Sequence, residues 1–167
     1  MNDSDSFKRA NSAALRFLTY RARSVAEVRT RLSRRFSADV VEQVIDSLMD
    51  QAYLDDSRFA DQWRDSRVAS RPRSASAIRR ELVSKGVDRD VAATAVRDVD
   101  DDATAYRAGQ KLARQLNQAD ESTFRRRIWG YLLRRGFTQT VTRRAIERLR
   151  EDRRGPDHRP LEIVGDS

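Results

Sequence analysis

The sequence predicts an all-α fold of three tandem three-helix repeats, each of about 50 residues, stacked into an elongated, curved body. Three observations carry this expectation. The chain of 167 residues has only six glycines and three prolines, so few positions are reserved for turns. Ala, Arg, Leu, Glu and Gln fill most segments, and no run shows the period-two alternation of a half-buried strand. Most specifically, the chain matches itself at a spacing of fifty residues: Val28, Ile78 and Ile128 correspond, as do Leu32, Leu82 and Leu132. Beyond a turn come Phe36, Val87 and Phe137, then Val40, Val91 and Val141. Ile45, Val96 and Ile146 follow, and Leu48, Val99 and Leu149 close the series.

Each element follows from that register. Residues 1–12 are polar and are expected to be a flexible N-terminus. The first repeat, 13–56, opens with a helix over 13–21. Ser24-x-x-Glu27 has the form of a capping box and starts a second helix whose Val28 and Leu32 share one face. After a tight turn a third helix runs from Ser37 to Leu48. The second repeat, 57–100, has a helix over 57–69, another from Ala75 to the turn at Gly86, and a third running to Val99. The third repeat, 101–151, has helices over 103–116, from Arg125 to Arg135, and from Thr138 to Leu149. Ser37, Asp88 and Thr138 stand at one equivalent position, and each can accept a hydrogen bond from the free N–H groups of the helix it opens. Gly86 and Gly136 suit the left-handed residue that ends the preceding helix. The first copy lacks that glycine and is one residue shorter there. A helical unit this small buries too little alone, so neighbours must stack or share helices. Residues 152–167 are expected to be a flexible tail.

Composition narrows the chemistry. No cysteine is present, so disulfides and thiolate metal sites are excluded. The single histidine, His158, lies in the polar tail, and neither a Walker-type nor a dinucleotide-binding glycine motif occurs. No cofactor and no metal are expected, and an enzyme is disfavoured. The polar start is no signal peptide, and no apolar run approaches the roughly 18 residues of a membrane span. A cytoplasmic monomer is the expectation. The net charge of +8 points to a polyanion or an acidic protein surface as partner.

Asp55 and Asp56, adjacent carboxylates in the stretch Tyr53-Leu54-Asp55-Asp56-Ser57-Arg58-Phe59-Ala60, could be an acid/base couple, metal ligands or a helix boundary. They fall where the first repeat meets the second. An Asp just before a helix accepts its free N–H groups and meets the positive end of its dipole. Catalysis would need a partner base or nucleophile that the folded region does not supply. The pair reads as a joint.

YLDDSRFA, from Tyr53 to Ala60, with ELVSKGV, from Glu81 to Val87, resembles the signature of the RecX family of recombinase regulators. RARSVAEVRTRL, from Arg21 to Leu32, is similar to the family's opening helices. The third repeat resembles the family by periodicity more than by motif. The chain departs from the family pattern at Arg73 or Ser74, where a glycine commonly stands. The resemblance implies a small cytoplasmic protein that binds the RecA recombinase and lies in the groove of its filament on single-stranded DNA. There it would restrain ATP turnover and strand exchange, with Tyr53, Leu54, Asp55, Asp56, Arg58 and Phe59 mainly structural. A nonspecific helical DNA-binding protein is the competing expectation.

Residues 101–150 hold twelve Lys/Arg against five Asp/Glu, so nearly all the excess charge lies in the third repeat. Arg34, Arg35, Lys85, Arg134 and Arg135 recur at helix C-termini, where the dipole favours cations. Arg125, Arg126 and Arg127 stand near a helix start, where it disfavours them, and so are expected to face a partner. Arg71 and Arg73 carry the same expectation more weakly, and Arg143 and Arg144, with Arg148, extend the basic patch. Trp63, Trp129, Tyr106 and Tyr131 could stack on bases, although aromatic residues at helical spacing are more often packing.

Overall fold

The structure, a computed structural model, describes residues 3–155. Those residues form nine helices and no strand. They are α1 (Asp3–Thr19), α2 (Val25–Leu32), α3 (Ala38–Asp50), α4 (Asp56–Ser70), α5 (Ala75–Ser84), α6 (Arg89–Ala95), α7 (Asp101–Gln115), α8 (Glu121–Leu133) and α9 (Gln139–Arg154). Two compact units result. One holds α1–α6, and the other holds α7–α9 together with Arg71–Ser74.

The repeat register becomes the core. Val28, Ile78 and Ile128 are fully buried, and Leu32, Leu82 and Leu132 are at most 1% exposed. In the first unit, α1, α2 and α3 enclose Ala10, Ala14, Val28, Leu32, Val41, Val44, Ile45 and Leu48. In the second, α7, α8 and α9 enclose Ala105, Ala108, Phe124, Ile128, Leu132, Ile146 and Leu149. Asp102 meets Arg144, and Tyr106 meets Asp152, so α7 and α9 run side by side in the same direction.

Several boundaries differ from expectation. The N-terminus does not wait for residue 13: α1 begins at Asp3, because Phe7, Ala10 and Ala14 already supply an apolar stripe that packs into the core. The helix α6 stops at Ala95, leaving Val99 outside it and half-buried. The helix α9 runs on to Arg154, three residues into the expected tail. Residues 156–167, including His158, lie outside the described residues.

The caps explain most of the helix starts. Ser24 and Glu27 make both bonds of the capping box on α2. Asp88, Asp100, Asp120 and Thr138 cap α6, α7, α8 and α9 with side-chain acceptors. Ser37 is the exception. It has the extended backbone of an N-cap, but its side chain makes no capping hydrogen bond. Gly86 and Gly136 close α5 and α8 with φ of 80° and 88°. At each, the next residue's N–H reaches back to Leu82 or Leu132.

Candidate functional site

The junction between the first two repeats is built from both. Asp55 caps its own helix, its Oδ1 accepting the Arg58 N–H at 3.0 Å. Asp56 reaches elsewhere: its Oδ1 accepts the N–H of Val25, the first residue of α2, at 2.9 Å. One carboxylate thus starts α4 and the other tethers α2, each satisfying a donor that its helix leaves free. Burial raises the Asp56 carboxyl above its ordinary value, with the Asp55 charge adding to this and the Val25 bond opposing it.

Arg58 reaches back and donates to the Ala52 carbonyl. Ala52 ends α3 in the left-handed conformation, with φ of 56°, and the Tyr53 N–H donates to Leu48 at 2.8 Å. Leu54 and Phe59 are buried, whereas Tyr53 is 57% exposed. The motif residues therefore close one helix and start the next.

A second set of contacts locks α2 against α5. The buried Ser24 hydroxyl donates to the Lys85 carbonyl at 2.6 Å, and Lys85 Nζ lies 3.7 Å from Glu27. Glu27 also takes Arg21 at 2.6 Å and the Ser24 N–H at 3.1 Å. Burial alone would raise the Glu27 carboxyl, but these partners outweigh it and hold the group below its ordinary value. Gly86 passes so close to Ala26 that a Cβ there would stand 2.2 Å from the Ala26 Cβ.

The residues expected to meet a partner divide clearly. Arg125, Arg126 and Arg127 are exposed on α8 and make no hydrogen bond or ion pair among the described residues. They follow Asp120, whose carboxylate accepts the Thr123 N–H and the Ser122 hydroxyl, holding its pKa far below the ordinary value. Arg71 and Arg143 are likewise exposed. Arg144 is exposed but pairs with Asp102 at 2.9 Å, so part of its charge is used inside the unit. Arg148 lies 3.8 Å from the Tyr106 ring centroid, and Arg150 pairs with Glu121. Arg73 is half-buried and has contacts of its own. Neither Arg73 nor Ser74 adopts positive φ, so this loop does not require a glycine there. The buried Ser74 donates its N–H to the Arg135 carbonyl at 3.1 Å.

The aromatic side chains are engaged internally. Trp63 donates Nε1–H to Glu81 at 2.8 Å, and Arg67 and Lys85 lie 4.4 and 4.2 Å from its ring. Trp129 and Tyr131 are half-buried against the core of the second unit, and Arg135 lies over Tyr131 at 3.7 Å. The Tyr106 hydroxyl donates to Asp152 at 2.6 Å. Packing accounts for all four.

One feature escaped the sequence reading. Two adjoining hollows of about 290 and 270 Å³ lie between α1 and the end of α2, sharing Arg16, Arg35, Ala13 and Phe36. Their cations include Lys8, Arg16, Arg31 and Arg35, and among the described residues no carboxylate lines either one. Lys8, Ser12, Arg16 and Tyr20 recur every four residues, a helical stripe hidden by treating the N-terminus as loose. Among the described residues no cluster of His, Cys, Asp and Glu could hold a metal ion. None of the described helices is long and apolar enough to cross a membrane.

Known proteins share this organisation. Family models described as the first, second and third three-helix domains of RecX match residues 10–48, 55–96 and 100–146. A protein named Regulatory protein RecX from Mycobacterium ulcerans is 39% identical over 139 residues, covering 80% of each chain. One of the same name from Mycobacterium tuberculosis is 35% identical over 142 residues, covering 80% of this chain and 82% of that one. The crystal structure of RecX from Lactobacillus salivarius superposes with a TM-score of 0.75 at 23% identity, over 88% of this chain and 98% of that one. With three tandem three-helix domains, each matched by its own model, and relatives aligned over most of their length, the chain belongs to the RecX family of regulatory proteins.

Proposed function

We propose that this chain binds RecA and the RecA filament on single-stranded DNA, occupies the filament groove, and restrains ATP turnover and strand exchange. Its role is regulatory, not catalytic, and it acts in the cytoplasm as a monomer; ATP enters only through the partner. Membership of the RecX family supports the assignment of partner. The structural observation that supports a binding role is the triplet Arg125, Arg126 and Arg127 on α8. Three consecutive exposed cations in the second turn of α8, without partners among the described residues, repel one another, and an external anion relieves that repulsion.

Their guanidinium forks match carboxylates of a protein face or phosphates of the nucleic acid. In this reading Arg71, Arg73 and Arg143 are supporting contacts, and Arg144 exchanges Asp102 for the partner. Each exposed pair contributes only about 0.2–1 kcal/mol, so tight binding needs many pairs over a long surface.

The test is binding at about 0.15 M salt to RecA filaments on single-stranded DNA, to free RecA and to bare DNA. Preference for the filament, with its ATP turnover reduced, is expected. Replacing Arg125, Arg126 and Arg127 together by Ala should weaken filament binding while leaving helicity unchanged. Undiminished inhibition by that variant would remove these residues from the interface. Equal binding to filament and bare DNA, lost with salt, would overturn the RecA assignment.

A further inference from the structure

The adjoining hollows between α1 and α2 carry more charge than the fold requires. Lys8, Arg16, Arg31, Arg34 and Arg35 are all exposed, and none makes an ion pair or hydrogen bond among the described residues. Four of the five line the two hollows, and Arg34 extends the same surface beside Arg31 into a neighbouring hollow. Two nearby cations are neutralised instead: Arg29 holds Glu42 through two bonds, at 2.7 and 2.9 Å, and Arg21 holds Glu27.

Helix dipoles account for only part of this. The C-terminal ends of α1 and α2 both lie at the hollows, and each presents about half a negative charge. About one unit of negative charge thus faces five cations. The surplus is held together at a mutual repulsion that only an external polyanion relieves.

The aromatic lining indicates what kind of polyanion. Tyr20 is 84% exposed at the mouth, beside Arg16, Phe17 and Arg31. Unlike Trp63, Tyr106 and Tyr131, it makes no ring contact or hydrogen bond within the described chain. Phe17 and Phe36 form half-buried walls. Cations that track a backbone, interleaved with a flat ring open to solvent, make up the platform on which unpaired bases stack. A duplex keeps its base faces hidden, whereas the bases of a single strand are free to stack on the ring.

We propose that this cleft is a direct binding site for single-stranded nucleic acid, with Lys8, Arg16, Arg31, Arg34 and Arg35 contacting phosphates and Tyr20 stacking on a base. It is separate from the Arg125–Arg127 triplet and does not depend on RecA.

The experiment is fluorescence anisotropy of a labelled oligothymidylate with the full chain, without RecA, at about 0.05 and 0.2 M salt. Replacing Arg16, Arg31 and Arg35 together by Ala should weaken binding about tenfold or more and reduce the salt slope by about 2. Tyr20→Ala should weaken it about fivefold or more with the slope unchanged, and Tyr20→Phe should restore it. Circular dichroism checks that each variant is folded, and the single change Arg35→Ala replaces the triple if that one unfolds. Affinity within twofold of the parent for the arginine variant overturns the site, as does indifference to Tyr20→Ala. Equal affinity for duplex, or equal displacement by polyglutamate, also overturns it, the latter in favour of an acidic protein surface. None of these results bears on filament binding, so the two proposals fail separately.

Discussion

Gly86→Ala should be the most damaging single methyl that can be added to the α2–α5 contact. Two costs combine. The residue sits at φ 80°, where an L side chain costs roughly 1–2 kcal/mol. Its new Cβ would lie 2.2 Å from the Ala26 Cβ, so the helices must part by roughly 1.2 Å to reach ordinary contact. Overpacking of this kind costs about 1–3 kcal/mol. The total is about 2–5 kcal/mol, a large fraction of the 5–15 kcal/mol or so that holds a domain together. Parting the helices also stretches the 2.6 Å bond from Ser24 to the Lys85 carbonyl. Urea unfolding followed by tryptophan fluorescence measures the loss, and a Trp129→Phe background leaves Trp63 as the reporter of the first unit. Ala26→Gly separates the two costs. Alone it weakens α2 by about 1 kcal/mol; combined with Gly86→Ala it removes the collision and should return about 1–3 kcal/mol. Strict additivity of the two changes, or a Gly86→Ala cost under about 1 kcal/mol, would refute the close approach.

Three further outcomes are expected. Asp56→Ala leaves the Val25 N–H without its acceptor and should cost about 1 kcal/mol in thermal or urea unfolding. Asp56→Asn keeps an oxygen there and removes a charge that burial disfavours, so it should be close to neutral; equal losses in the two variants would mean that the bond to α2 is unimportant. Ala52→Gly should stabilise the chain by about 1 kcal/mol, since glycine pays no penalty in the left-handed conformation, and a lowered melting temperature would contradict this. Glu27 is held below its ordinary value of 4.5, so the folded chain binds fewer protons there than the unfolded one. Its contribution to stability is full above that pH and is lost as pH falls through the lowered value. Unfolding midpoints measured from about pH 5 to 3 should fall less steeply for Glu27→Gln than for the parent, and identical slopes would show that Glu27 does not carry the effect.

Local chemistry made much of this protein legible from its residues alone. The fifty-residue register named the buried positions Val28, Ile78, Ile128, Leu32, Leu82 and Leu132, because burial of one helical face is periodic and a repeated unit repeats it. The capping box at Ser24 and Glu27 and the left-handed glycines at 86 and 136 were equally readable, since each depends on residues only a few positions apart. What stayed hidden depends on residues far apart in the chain. Nothing local says that Asp56 leaves its own helix for Val25, that Ser24 serves Lys85 as well as its own cap, or that Arg144 meets Asp102. The helical reach of the N-terminus was hidden because a polar stretch with one phenylalanine becomes an amphipathic helix only when α2 and α3 offer a core to cover. The basic cleft followed the same logic. Lys8, Arg16 and Arg35 are ordinary surface cations in the sequence, and only packing α1 beside the end of α2 turns them into one convergent charge. Periodicity and capping decide where helices start, stop and face inward; which charges meet, and which are left unpaired, is decided by tertiary packing, because electrostatic partners are set by distance through space and not by distance along the chain.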